Sequence, residues 1–408
     1  MDLSRRAAEL DAADPIAHFR SLFEGSDSDL VYLDGNSLGR PLRAVRSRLD
    51  EFVTGAWGSG LIRSWDEEWM ELPFAVGDRI GVLALGAAPG QTVVADSTSV
   101  MLYKLLRAAV DRQQALDPAR CEIVVDEANF PTDRYLVEGI AAERGLDLRW
   151  LTPSPELSTE QVTAALGPRT AVVLLSHITY QSGQIADVAA ITAAAHRAGA
   201  LVLWDLCHSA GAVPIELDRW QVDLAVGCTY KYLNGGPGSP AFGYVAVRHQ
   251  AALRQPLQGW MGHAEPFVMG PGYRPADGMR RFLTGTPPVL AMQPLIAFLD
   301  VFADAGIEAV RAKGVALTEF AIAISDELLA PLGVQVGSPR AAADRGNHVL
   351  LRHPRMREVT AALWQRDVIP DFREPDGLRI GLSPLSTSFA EVARGLSVVA
   401  ELLTARLM

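Results

Sequence analysis

Lysine is nearly absent from this chain. Of the 37 Lys and Arg residues, only Lys104, Lys231 and Lys313 are lysines. Lys104 and Lys313 fall in stretches with a helical pattern, which favours structural roles. Lys231 lies between two tyrosines and ahead of a glycine-rich run, in the segment CTYKYLNGGPGSP. Because an amine can lose its proton and a guanidinium does not at accessible pH, Lys231 is a candidate for amine chemistry.

Cysteine is scarce as well. The chain has only Cys121, Cys207 and Cys228, an odd number with no close pairing and no zinc-ligand spacing. A disulfide scaffold and a zinc-binding module are both disfavoured by this pattern. It predicts reduced thiols, no metal site and a cytoplasmic protein.

The chain also lacks an excess of positive charge and any long apolar run. Its formal net charge is −11 at pH 7, which argues against nucleic acid or an anionic membrane as the main partner. The longest apolar runs, such as TAVVLL and ALVLW, are too short to span a bilayer. The opening stretch MDLSRRAAELDAADPIAHF carries acidic residues and no apolar core, unlike a signal peptide. We therefore expect neither nucleic acid nor a membrane among the partners.

The remaining pattern predicts an α/β fold with two domains, since 408 residues exceed what one core usually serves. Between residues 87 and 250, short β-branched runs alternate with helical stretches, as in a parallel sheet covered on both faces. The predicted strands are QTVVAD, EIVVDE, DLRWLT, TAVVLLS, ALVLWD, DLAVGCT and GYVAVR. We expect a large, mostly parallel sheet domain over 61–290 and a smaller α+β domain over 291–408, with the segment 1–60 packing on the small domain.

Several candidate residues follow the predicted strands, at the edge where parallel α/β sheets bind ligands. Thr98 and Ser99 open a helix, where backbone N–H groups and hydroxyls suit a phosphate, although N-capping is the commoner role of Ser and Thr there. Phe130 either stacks on a flat ring or belongs to the core. Ser176 follows the strand TAVVLL.

An acid and the unusual lysine follow two further strands. Asp205 ends the apolar strand ALVLW, and His208 comes three residues later. A buried carboxylate there needs a cationic partner, unless it caps a short helix. Tyr230 and Lys231 follow DLAVGCT. A phosphate site, an aromatic platform, a carboxylate for a pyridinium nitrogen and an amine for an aldehyde together predict pyridoxal 5'-phosphate as cofactor.

Longer motifs run through nearly the whole chain. They are YLDGNSLGRPL, NFPTDRY, HITYQSGQIADVAAI, WDLCHSAGAVPIELDRWQVDLAVGCTYKYLNGGPGSPAFGYV, GWMGHAEPF, TGTPPVLAM and GLRIGLSPLSTSF. With these motifs the sequence resembles the kynureninase family, whose members are pyridoxal phosphate enzymes of fold type I, the aspartate aminotransferase-like fold. The resemblance implies a homodimer with active sites at the subunit interface.

The resemblance also implies roles for individual residues. Lys231 binds the cofactor and shuttles protons, Asp205 pairs with the pyridine nitrogen, and Tyr230 donates a proton or only anchors the phosphate. Arg379 matches the arginine that holds the substrate α-carboxylate, a pairing that the guanidinium fork suits. The other implied contacts to the cofactor are Thr98, Ser99, Phe130, Asp133, Ser176 and His208. Trp260 and Thr286 would reach the cofactor phosphate from the partner subunit. Asn36 and Ser37 would lie near the aromatic end of the substrate.

The reaction that the resemblance implies is hydrolysis of the Cβ–Cγ bond of L-kynurenine to anthranilate and L-alanine, in tryptophan catabolism or NAD biosynthesis. Animal members carry a ring-pocket histidine near the segment that reads GAWGSGLIRSW in this chain. Ser59 or Gly60 stands at about that place, with Trp57 and Trp65 nearby. This departure favours kynurenine over 3-hydroxykynurenine as substrate.

Three other functions fit parts of the pattern. An aminotransferase uses the same lysine and acid, and the sequence does not separate it from a kynureninase. A cysteine desulfurase needs a reactive cysteine on a late mobile loop, and no cysteine follows Cys228. A non-catalytic homologue that binds only cofactor or partner is disfavoured by the intact Lys231, Asp205 and Arg379.

Overall fold

The computed structural model describes residues 3–154 and 156–405. Over these residues the helices are α1 (Leu3–Ala13), α2 (Ala44–Phe52), α3 (Leu72–Ile80), α4 (Thr98–Leu116), α5 (Pro131–Arg144), α6 (Thr159–Ala165), α7 (Val188–Arg197), α8 (Val247–Gln250), α9 (Val289–Ala305), α10 (Ile307–Ile324), α11 (Met356–Trp364) and α12 (Phe389–Thr404). The strands are β1 (Val31–Tyr32), β2 (Thr92–Ala95), β3 (Glu122–Asp126), β4 (Asp147–Leu151), β5 (Thr170–Ser176), β6 (Leu201–Asp205), β7 (Leu224–Gly227), β8 (Ala241–Val245), β9 (Gln335–Val336), β10 (His348–Arg352), β11 (Val368–Ile369), β12 (Asp371–Arg373) and β13 (Gly377–Gly381).

The large sheet has the strand order β2-β8-β7-β6-β5-β3-β4 within the described residues. The pairs among β7, β6, β5, β3 and β4 are parallel, and β8 is antiparallel to both of its neighbours. The predicted α/β class and mostly parallel sheet are thus confirmed. Most strands of this sheet are buried along their whole length, because helices cover both faces.

The last predicted strand of this sheet needs a correction. GYVAVR predicts a strand over 243–248, but β8 begins at Ala241 and ends at Val245, and helix α8 begins at Val247. Periodicity does not report strand direction, so β8 was not recognised as the antiparallel member. The two strands that pair with β8, β2 and β7, are separated by more than 100 residues along the chain. The position of β8 between them therefore depends on tertiary packing.

The smaller sheet lies in the C-terminal part of the chain and is antiparallel, in the order β12-β13-β10-β9. Helices α9 and α10 meet at Gly306, whose φ of 72° suits glycine, and they are bent by 85°. This small sheet with its helices is the predicted smaller α+β unit. Its core is an apolar cluster separate from the two clusters that lie against the large sheet.

The N-terminal residues contact the C-terminal part of the chain. Strand β1 pairs in parallel with β11, and α1 packs against α12. The Asp11 carboxylate accepts from the backbone N–H groups of Phe389 and Ala390 at 2.8 and 3.0 Å, which caps the N-terminus of α12. The domain limits at 60/61 and 290/291 stay predictions.

The described helices include none that alone is long and apolar enough to cross a membrane. The bent pair Val289–Ala305 and Ile307–Leu332 meets that test only when both members are counted together.

Candidate active site

A cavity of roughly 140 Å³ lies at the carboxyl ends of the parallel strands. It brings together nine of the predicted residues, which come from five separate segments of the chain. They are Thr98, Ser99, Phe130, Asp133, Ser176, Asp205, His208, Tyr230 and Lys231. The sheet topology explains this meeting, since parallel strands deliver their following residues to one edge.

Lys231 occupies a different environment from the other two lysines. Lys104 Nζ contacts Asp96 Oδ2 at 2.5 Å, and Lys313 Nζ contacts Asp14 Oδ2 at 2.7 Å, so both serve buried ion pairs as predicted. Lys231, only 8% exposed, has its Nζ 2.9 Å from Nε2 of a histidine, His208, and no carboxylate within ion-pair distance among the described residues.

His208 is held neutral in this cavity. Burial and the neighbouring charges of Lys231 and Arg379 bring its pKa well below the ordinary histidine value. A neutral imidazole nitrogen can accept a hydrogen bond from the lysine ammonium. The pair therefore gives Lys231 a neutral hydrogen-bond partner instead of a fixed counter-charge.

Two carboxyl groups face each other beside the lysine. Asp205 is 6% exposed, and its Oδ1 accepts from the backbone N–H of Cys207 at 2.7 Å. Asp133 is 2% exposed, and burial together with the Asp205 carboxylate raises its pKa well above the ordinary value. Its Oδ2 has no hydrogen-bond partner. A protonated ring nitrogen entering the cavity would neutralise this acid pair.

The N-terminus of α4 offers an anion site. Ser97 is the N-cap, and its Oγ accepts from the backbone N–H of Val100 at 3.4 Å. The capping role considered for the Ser-Thr-Ser run therefore belongs to Ser97. Thr98 and Ser99 line the cavity at the positive end of a 19-residue helix, an arrangement that suits a phosphate.

Aromatic side chains form one side of the cavity. Phe130 precedes α5 and makes an edge-on contact with Tyr180, with ring centroids 5.3 Å apart. Lys231 Nζ lies 5.8 Å from the Phe130 ring centroid. Ser176 Oγ donates to Asn129 Oδ1 at 2.6 Å, which ties the end of β5 to the turn before Phe130.

Arg379 lies on β13, is 1% exposed and donates hydrogen bonds from all three of its nitrogens. Its Nη1 donates to the carbonyl oxygen of Tyr180, a residue of the cavity, at 2.6 Å. Its Nη2 donates to Ser37 Oγ at 2.7 Å and to Asp371 Oδ2 at 2.6 Å. The side-chain amide of Asn36 is oriented so that both its oxygen and its nitrogen have hydrogen-bond partners, and the oxygen accepts from Arg379 Nε at 2.9 Å. Asn36 and Ser37 therefore lie against the guanidinium, and their assignment to the aromatic end of the substrate stays a prediction.

A second carboxylate completes this arginine cluster. Burial and the nearby Asp371 carboxylate raise the pKa of Asp34 to about 6. Asn36 donates to Asp34 Oδ1 at 3.1 Å in the same orientation. Arg379 is thus balanced by carboxylates of the chain itself.

Trp260 and Thr286 do not line the Lys231 cavity. Trp260 is 39% exposed and contacts Phe267, with ring centroids 5.9 Å apart. Thr286 is also exposed. Both side chains are free to meet another molecule, and their predicted contact with phosphate from a partner subunit stays a prediction.

Several residues of the site were not predicted from the sequence. Tyr180 and Cys207 line the cavity, and Asp371 and Arg373 flank Arg379, with Arg373 lying 5.8 Å above the Tyr180 ring. Tyr180 and Cys207 lie inside motifs quoted above, so their position after β5 and β6 was the available signal. Asp371 becomes a neighbour of Arg379 only through the pairing of β12 with β13.

Comparison with known proteins places the chain among characterised families. The class-V aminotransferase family matches residues 90–349, and the kynureninase C-terminal domain family matches residues 310–399. A kynureninase of Burkholderia pseudomallei (strain 1106a) is 44% identical over 395 residues, covering 96% of this chain and 93% of that protein. A kynureninase of Pseudomonas fluorescens is 43% identical over 398 residues, covering 97% and 94%.

Solved structures of lower identity share the fold. A C-DES mutant with glycine covalently linked to its PLP cofactor superposes with a TM-score of 0.83 at 19% identity, over 94% of this chain and 99% of the other. A cysteine desulfurase from Thermococcus onnurineus NA1 gives a TM-score of 0.80 at 19% identity, over 95% and 98%. Together with the near full-length relatives, these matches show that the chain belongs to the kynureninase family within the class-V aminotransferase fold.

Proposed function

We propose that this chain is a pyridoxal phosphate-dependent kynureninase, which hydrolyses the Cβ–Cγ bond of L-kynurenine to anthranilate and L-alanine. The observation that carries the proposal is the buried pair of Lys231 and neutral His208, set among an acid pair, an aromatic wall and an open helix N-terminus. A cytoplasmic location is part of the proposal and is supported by three unpaired cysteines.

The residues of the cavity fit this cofactor. Lys231 would hold its aldehyde carbon, Asp205 its ring nitrogen, and Thr98 and Ser99 its phosphate. The unpartnered Asp133 Oδ2 and the unpartnered Nδ1 of His208 are buried polar atoms that a polar ligand would satisfy. When bound, the cofactor supplies an electron sink for the bonds at the substrate Cα.

The chain's own residues handle the protons. The Lys231 amine is positioned to take a proton from the substrate Cα, and the neutral His208 would accept a hydrogen bond from the resulting ammonium. Burial raises the pKa of Tyr230 above the ordinary tyrosine value, so its phenol keeps its proton at neutral pH and is a donor instead of a base. The net reaction consumes one water for each bond cleaved.

The arginine cluster binds the substrate α-carboxylate in this proposal. Asp371 now occupies one side of the Arg379 fork, and a substrate carboxylate of the same chemistry would take a neighbouring position. Asn36 and Ser37 hold the Arg379 guanidinium in place through hydrogen bonds to its Nε and Nη2. The fork therefore orients the substrate against Lys231, since Tyr180 links Arg379 to the cavity wall.

An assay for anthranilate tests the function directly. The protein supplied with pyridoxal phosphate and kynurenine should release anthranilate and alanine in equal amounts, without a 2-oxo acid acceptor. Because Ser59 and Gly60 offer no ring-pocket histidine, we expect a larger kcat/KM for kynurenine than for 3-hydroxykynurenine. A requirement for a 2-oxo acid would indicate an aminotransferase, and release of sulfide from cysteine would indicate a desulfurase; either result overturns the proposal.

The proposal includes a homodimer in which each subunit completes the other's site. Large apolar side chains are exposed in two segments, with Ile62 at 76% and Met269 at 73% exposure. Contiguous exposed apolar residues are typical of protein interfaces. The neighbouring exposed residues are Trp57, Leu61, Phe267 and Val268.

Mixing two inactive variants should restore activity if the sites are shared. We expect Lys231→Ala and the double variant Trp260→Ala/Thr286→Ala each to be nearly inactive alone. After subunit exchange, half of the dimers would be hybrids with one intact site, so activity should reach about one quarter of wild type. Kinetic assay of the mixture after mild dissociation and reassociation measures this value. A mixture no more active than its components would show that Trp260 and Thr286 serve their own subunit.

A further inference from the structure

Cys207 and Cys228 follow the neighbouring parallel strands β6 and β7 at equivalent positions. Asp205 on β6 pairs with Val226 on β7, and each cysteine comes two residues beyond that pair. The ladder continues past it, since the Leu206 N–H donates to the Val226 carbonyl oxygen at 2.8 Å. Adjacent strands lie about 4.8 Å apart, which is within the Cα separation of roughly 4.4–6.8 Å that a disulfide requires.

The Cys228 thiol lies against the backbone of Cys207, and the Cys207 thiol borders the proposed cofactor site. The Cys228 Sγ is 3.8 Å from the carbonyl oxygen of Cys207. The Cys207 Sγ is 3.9 Å from Thr98 Oγ1 at the start of α4, and Cys207 lines the cavity. Both are free cysteines, and both are buried, at 8% and 3% exposure. Cys207 lines the cavity, which gives a small molecule in the cavity access to this pair.

The electrostatic environment favours one thiolate in the pair. Burial alone would raise the pKa of the Cys228 thiol, but the hydrogen bond with Cys207 and the Lys231 charge bring it below the ordinary value. The same contact with Cys228, with burial, raises the pKa of Cys207 well above that value. A thiolate beside a thiol is the arrangement of a reactive dithiol.

We propose that Cys207 and Cys228 are an oxidation site, which closes to a disulfide when a peroxide enters the cofactor-free cavity and which bound cofactor protects. The protection rests on the proposed function, whereas the formation of the disulfide does not. Asp205 precedes Cys207 by two residues and Lys231 follows Cys228 by three. A bond between the two sulfurs therefore shifts the backbone next to Asp205 and Lys231, the two residues that would hold the cofactor. As a result, the oxidised protein binds cofactor poorly.

The chemistry balances with hydrogen peroxide as oxidant. The thiolate of the pair attacks one peroxide oxygen, the O–O bond breaks, and hydroxide leaves with the departing electron pair. The second thiol then attacks the oxidised sulfur, so that the S–S bond forms, the S–O bond breaks, and the oxygen leaves as water. In sum, two thiols and one peroxide become one disulfide and two waters. A dithiol reductant reverses the change.

The test compares the full chain with and without pyridoxal phosphate. Each form is treated with hydrogen peroxide, and the cross-link is read by mass spectrometry of non-reduced peptides and by thiol titration of the denatured protein. In the cofactor-free form we expect a peptide pair joined through Cys207 and Cys228, and a fall in free thiols from three to one. With saturating cofactor, formation should be at least about 10-fold slower, because only the cofactor-free fraction reacts.

Variants of the three cysteines provide the controls. Cys121→Ala removes a partly exposed cysteine far from the cavity and should leave the cross-link unchanged. Cys207→Ala and Cys228→Ala should each abolish it, and cofactor binding by Cys228→Ala, which changes a residue outside the cavity lining, should then survive peroxide when followed by absorbance. The wild-type protein should lose cofactor binding when it is oxidised, and dithiothreitol should restore that binding.

Two outcomes would overturn the inference. One is oxidation confined to Cys121, or to separate sulfinic acids, in the cofactor-free protein. The other is equal cross-linking rates with and without cofactor. Because both readouts are masses and thiol counts, they do not depend on whether kynurenine is the substrate, so failure of the proposed function would be recognised separately.

Discussion

Replacing Lys231 with alanine is expected to lower kcat/KM by roughly 10³-fold or more, since proton transfer by one positioned side chain is worth about 10²–10⁴ and this residue also holds the cofactor. Its Nζ is the only lysine amine in the described part of the chain that faces the cavity. Borohydride reduction of the wild-type protein should leave the cofactor joined to the peptide that contains Lys231, and mass spectrometry locates it.

The matched control is Lys231→Arg, which keeps a cation beside His208 but cannot condense with an aldehyde. It should be as inactive as the alanine variant, and both should keep the wild-type circular dichroism. An active arginine variant would show that only charge is needed at this position. A trapped adduct on Lys104 or Lys313 would place the chemistry elsewhere, although both of those amines are held in ion pairs.

Much of the large domain could be predicted from the sequence, because most of its strands are buried along nearly their whole length. A run such as TAVVLLS suits a strand in a parallel sheet that is covered on both faces, and β5 spans the whole run. Once the strands are known, the edge at which Asp205, Ser176 and Lys231 gather follows from their common direction. The end of α5 has a local cause as well, because the next residue is Gly145, whose φ of 66° favours glycine.

The surroundings of Arg379 could not be predicted in the same way. Asp371 meets the guanidinium through the antiparallel register of β12 and β13. Ser37 reaches it from a loop 342 residues earlier in the chain. Both contacts depend on how the small sheet packs against the N-terminal segment, and no local pattern encodes that packing. The antiparallel direction of β8 was not predicted because the periodicity of a strand does not report its direction.

Replacing Arg379 with lysine is expected to lower kcat/KM for kynurenine by about 10²–10³-fold, because removing one partner of a buried, hydrogen-bonded charge pair typically costs 2–5 kcal/mol. Lysine keeps a positive charge between Asp371 and Asp34 but loses the planar fork that binds a carboxylate at two points. Most of the loss should appear in KM, since the fork acts in binding the substrate and not in breaking its bond.

The decarboxylated analogue of kynurenine separates recognition from a general disturbance of the site. As a competitive inhibitor it should bind the wild type weakly and the Arg379→Lys variant equally weakly, because neither complex contains the carboxylate. The matched control is Arg373→Lys, which alters a partly exposed guanidinium that pairs with the same Asp371. It should change KM by less than about 10-fold, as expected for an exposed ion pair. If Arg379→Lys weakens the analogue as much as it weakens kynurenine, Arg379 supports the fold of the site and another group holds the carboxylate.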